Sequence, residues 1–177
     1  MWQTNLIRLC CAVCDNSSTI EAVMQRQSNN FRLKFSDEDC ITIYLRGISQ
    51  RRFEQKAIYQ YTKNHLLEWF PKLPRYQEFS RRLNLLAPVF QALSDLWLDV
   101  VIRHSNNEGN YIEDTIHSGD AFSTFVSSIR QPIECFFNWL NRLTNIQTAS
   151  IVRSTTGLLL HIFGRIAAAL ATLIFNS

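Results

Sequence analysis

Apolar side chains recur at steps of three and four along most of the chain, the spacing that gathers them on one face of an α-helix. Ser36-Asp-Glu-Asp39 has the form of a capping box and predicts a helix start, followed by Ile41, Ile43, Tyr44, Leu45 and Ile48, with Gly47 near its end. A second helix is predicted from Phe53 to Phe70, with Ala57, Ile58, Tyr61, His65, Leu66 and Trp69 as its stripe and Pro71 and Pro74 stopping it. A third starts near Arg75 and runs through Phe79, Leu83, Leu86 and Phe90 toward Leu96, Leu98 and Val101, with a kink at Pro88. Further on, Ile129, Ile133, Phe136, Phe137, Leu140 and Leu143 share a helical face, Pro132 suits an early helical position, and Glu134 falls in the first turn.

Both chain ends are apolar. Leu6 to Val13 is interrupted by Arg8 and followed by Asp15 and Asn16, so it reads as a packed helix and not as a secretion signal. Gly157 to Phe175 approaches membrane-spanning length, but His161 and Arg165 lie inside it, and a central arginine costs at least about 2.5 kcal/mol in a bilayer. Gly164 and Ala168 suit a close helix contact. Residues 104–119, rich in Asn, Ser, Gly and acids, read as an acidic linker between a helical module at 1–103 and a C-terminal helical part at 120–177.

Composition agrees with a soluble, mainly α protein: 46% hydrophobic and 19% charged residues, with only 5 Gly and 4 Pro to break helices. The net charge of +3 hides an uneven distribution. Residues 21–90 carry 12 basic and 7 acidic side chains, residues 91–134 carry 2 and 7, and residues 135–177 carry 3 and none. The basic half, with Lys56, Lys63, Lys72, Arg75, Arg81 and Arg82, suits a phosphate backbone, although the same charges also fit a solvated helix surface.

Three short helices with a basic third member after a Pro-bounded turn are compatible with a helix-turn-helix module. In that reading the arginines meet phosphates or guanine edges, Gln77 meets a base edge and Tyr76 a phosphate. The alternative places Tyr76 and Phe79 in the core and leaves the arginines as solubilising groups.

Other chemistry finds little support. Cys10, Cys11 and Cys14 form a CCxxC cluster without a second pair or a neighbouring His, so buried, reduced cysteines on an apolar helix are expected in place of a zinc site. The odd total of 5 cysteines argues for a reducing compartment. His65, His104, His117 and His161 stand at unrelated spacings, which leaves a hydrolase reading without a nucleophile–base pair.

Two blocks of sequence carry a family resemblance. The first holds Phe35-Ser-Asp-Glu-Asp39, Ile41-Thr-Ile-Tyr-Leu45, Lys56-Ala-Ile58, Tyr61-Thr-Lys-Asn-His65, Trp69-Phe-Pro-Lys-Leu-Pro74 and Arg82-Leu-Asn84. The second holds Ile129-Arg-Gln-Pro-Ile-Glu134, Phe137-Asn-Trp139, Val152-Arg-Ser-Thr155 and Gly157-Leu-Leu-Leu-His-Ile-Phe-Gly164. In this order they resemble bacterial insertion-sequence transposases of the insertion sequence 982 family.

The resemblance implies C-terminal helices left from a ribonuclease-H-like core of Asp-Asp-Glu type. It makes Glu134 the third catalytic carboxylate and a ligand of Mg²⁺, double-stranded DNA at the element ends the partner, and the cytoplasm, at the nucleoid, the location. It also implies that the C-terminal stretch packs inside the protein and not in a membrane.

The family's strand-rich middle, with its Asp-Ser-x-Pro segment, has no counterpart here. Asp99 precedes Val100-Val-Ile102, which has the look of a strand end, but nothing around it matches, nor do Asp114 and Asp120. One carboxylate does not assemble a two-metal site. The expected protein is therefore an internally deleted transposase that binds element DNA without catalysing transfer alone. Alternatives are a partner that joins and inhibits full-length transposase, as a homo-oligomer or mixed complex, and a membrane-associated helical protein.

Overall fold

The computed structural model describes residues 2–24, 35–107 and 134–176, and among them the secondary structure is helical without strands. α1 (Trp2–Asp15) buries Leu6, Leu9 and Val13, and α2 (Ser17–Met24) buries Ile20. Asn16 joins them, its side-chain amide donating to Ala12 O at 2.8 Å.

α3 (Asp37–Ser49) starts at the expected capping box, with Asp39 N donating to Ser36 Oγ at 3.0 Å and Ser36 N to Asp39 Oδ2 at 3.2 Å. Its residues from Cys40 to Leu45, together with Gly47 and Ile48, are buried, as befits a helix apolar on every side. Gly47 is there for packing: a Cβ would stand 2.5 Å from Ile58 Cγ1 on α4.

α4 (Gln55–His65) is shorter than the sequence predicts. The chain leaves the helix after His65 and turns at residues 66–70, where Trp69 N and Phe70 N donate to Leu66 O, so that Leu66 and Phe70 both reach the core while Trp69 is left exposed. The expected third helix is two, α5 (Tyr76–Leu85) and α6 (Ala87–Asn107), bent by 55° at Leu86. Pro88 has no N–H for Asn84 O and its ring would strike that carbonyl, so α6 starts afresh, with Val89 N and Phe90 N donating to Leu86 O. Asp99 to Ile102, expected to resemble a strand end, is helical within α6.

Residues 134–144 form the described part of α7. Asn145, in the left-handed region at φ 53° where Asn is tolerated, ends it, and a 3₁₀ turn (Ile146–Ile151) leads to α8 (Thr155–Asn176). α8 lies along α6 and also meets α3, α5 and α1, so one core runs through both halves of the chain. Gly164 lets α8 approach Tyr44, whose Cε1 would be 2.6 Å from an added Cβ, and Ser94 Oγ on α6 donates to Phe163 O at 3.1 Å.

Arg165 sits in the middle of α8 at 3% exposure. Its Nη1 donates to Thr144 O and Asn145 O at the C-terminal end of α7, and Nη2 to Phe53 O at 3.3 Å. Thr155–Phe175 is long and apolar enough to cross a membrane, and 44% of an apolar 18-residue window within it is buried inside the protein.

Candidate nucleic-acid interface

Two contacts fix how α4 and α5 meet. Ser80 Oγ donates to Gln55 Oε1 at 2.8 Å, and the Tyr59 and Tyr76 rings meet edge-on at 5.5 Å. The order reverses along the two helices, so they run in opposite senses. Tyr59 OH also donates to Pro74 O at 2.9 Å, which ties the connection at residues 66–75 to α4.

Lys56 and Lys63, seven residues apart, share one exposed side of α4; Gln77 and Arg81, four apart, share one exposed side of α5. Lys56 follows Gln55 by one residue, and Gln77 and Arg81 likewise follow Tyr76 and Ser80. A rotation of about 100° per residue on oppositely directed helices carries both sets to the same side of the pair. Lys72 and Arg75 are exposed on the connection between them. Between residues 51 and 82 there are eight Lys or Arg against three Glu, so the edge is positive.

Two of the expected DNA contacts are turned inward. Arg82 Nε donates to Asp37 Oδ1 at 2.7 Å with both side chains nearly enclosed, and its guanidinium lies over the Phe35 ring at 5.5 Å. Tyr76 is half-buried against Tyr59. Pattern alone could not separate Arg82 from Arg81, because only the fold brings Asp37 across from α3. Arg52 carries no signal in the sequence; its guanidinium stacks on Tyr61 at 3.6 Å, and His65 lies against the same ring at 4.7 Å.

Glu134 is exposed at the first described position of α7. Among the described residues no three His, Cys, Asp or Glu side chains come together as a metal ion requires, and one carboxylate does not fit the pair of Mg²⁺ ions that the resemblance implies. Asp99 lines an open groove of about 340 Å³ with Asp15, Trp97 and Arg103. Asp114, Asp120, Ile129, Pro132 and Ile133, with most of the expected linker, lie outside the described residues.

Comparison with known protein families, curated proteins and solved structures finds no match to this chain.

The α7 stripe predicted to share one helical face packs inward only in part. Leu140 is buried, whereas Phe136 and Phe137 are 50% and 59% exposed and cluster with each other and Trp139 at 5.9 and 5.8 Å. The N-terminal cysteines also differ from expectation: Cys11 and Cys14 are exposed and Cys10 half-buried, because α1 turns Leu6, Leu9 and Val13 inward and rotates the thiols away.

Proposed function

We propose that this chain is a DNA-binding relic of an insertion-sequence transposase, with α3 to α5 as a helix-turn-helix-like module. The single observation that carries the reading is the one-sided basic edge of α4 and α5. In this proposal α5 enters the major groove, where Gln77 meets an adenine edge and Arg81 a guanine edge, while Lys56, Lys63, Lys72 and Arg75 hold phosphates. The connection of residues 66–75 is longer than the three or four residues of a compact helix-turn-helix, so the docking angle is this chain's own. Glu134 marks ancestry in this reading and performs no strand transfer, since the other carboxylates that metal catalysis needs are not gathered around it among the described residues.

A mobility-shift titration tests this, comparing duplex that carries the inverted repeats flanking the coding sequence with random duplex between about 50 and 200 mM salt. Tighter binding to the repeats and a steep salt dependence are expected. Substituting Lys56, Lys63 and Lys72 by Glu should flatten the slope of log K against log salt by roughly 0.9 for each phosphate that is no longer neutralised. Equal affinity for both duplexes overturns sequence recognition, and an unchanged slope overturns the basic edge.

The exposed Phe136, Phe137 and Trp139 favour a second reading, in which α7 associates with full-length transposase and inhibits it. Failure of the two proteins to co-purify would sink that version. Both readings put the chain in the cytoplasm at the nucleoid and away from membranes, and purification without detergent tests the last point.

A further inference from the structure

Cys10 and Cys14 stand one helical turn apart on α1, at positions i and i+4, and a hydrogen bond joins their thiols. Cys11 lies within the same roughly 100° arc, and all three are free. Burial pushes Cys14 up to about 11 and raises Cys10, with the Glu38 and Asp39 carboxylates at the start of α3 adding to the rise: Glu38 acts on both thiols and Asp39 on Cys10. Deprotonating them is therefore costly, and a metal that binds both thiols must displace two firmly held protons, so its capture strengthens as pH rises.

Hard cations avoid sulfur, and zinc wants four ligands, for which no grouping exists among the described residues. Soft monovalent copper accepts fewer. We infer that Cys10 and Cys14 form a two-thiolate clasp for a soft, closed-shell cation of the Cu(I) class. One Cu(I) replaces two protons, two Cu–S bonds form as two S–H bonds break, and no electron is transferred. The site is independent of the DNA-binding reading and stands or falls separately from it.

The test titrates the purified full chain, without oxygen, against the coloured Cu(I)–bicinchoninate complex. One equivalent of Cu(I) should be withdrawn, and X-ray absorption should count two sulfur neighbours. Cys10→Ser and Cys14→Ser should each weaken capture by roughly tenfold or more, since even removal of an outer-shell partner costs that much, while Cys11→Ser and Cys135→Ser leave it unchanged. Circular dichroism shows whether each variant keeps its helices, and exposed Cys14 is the substitution that the fold tolerates best. The inference is overturned if the parent chain withdraws no Cu(I), if folded Cys14→Ser binds like the parent, or if three or more sulfurs surround the metal.

Discussion

Arg165 gives a segment with the hydropathy of a membrane span a polar task inside the protein. By hydropathy α8 has the character of a span, yet its central guanidinium serves carbonyls at the end of α7 and that of Phe53, just before α4. Positive charge at the C-terminal end of α7 is also favoured by the helix dipole. Arg165→Met would leave those carbonyls buried without a donor and should cost about 2 to 3 kcal/mol, read as a lower urea midpoint; a stability equal to the parent's would refute the role. Arg165→Lys keeps the charge without the fork and should fall between the two.

His161 one turn earlier is held below its ordinary value of 6.5 by burial and then by the Arg165 charge, against the opposing pull of Ile146 O at 3.1 Å. A depressed imidazole binds its proton more readily in the unfolded chain. Stability should therefore decline as pH falls below about 6.5, and His161→Gln should remove that part of the decline; identical pH profiles would contradict it.

Individual helices were legible where local chemistry decides and blurred where tertiary contacts do. The Ser36 capping box is local, and α3 begins where it predicts. Ser36→Ala should cost about 1 kcal/mol, measured by thermal unfolding, and a loss near zero would mean that packing alone positions α3. Pro88 also marked a real boundary, whereas the helix expected to run to Pro71 ends at His65, and periodicity could not tell a kink from a corner, because Leu83, Leu86, Val89 and Phe90 keep helical spacing on both sides of the bend. The same limit applies to charge. Arg81 and Arg82 are equivalent as text, and their separation into a solvent-facing and an enclosed cation depends on α3 arriving beside α5. Phe136 and Phe137 reverse the lesson, since aromatic residues at helical spacing promised a core that α7 does not supply.

For the molecule as a whole, α8 is the piece on which the other helices depend, as it touches α1, α3, α5 and α6. Removing residues 155–177 should expose the faces that Ala167 and Ala168 cover, giving an aggregating chain by size-exclusion chromatography and a broadened, low-temperature melt. A cooperative monomer of unchanged midpoint would show that the first half folds alone. Because α6 and α8 close directly on each other, lengthening the chain that joins them costs the core only loop-closure entropy, which grows with the logarithm of length. Doubling that connection adds only about 0.6 kcal/mol, so a whole domain can be spliced in or out there while the helices on either side still find one another.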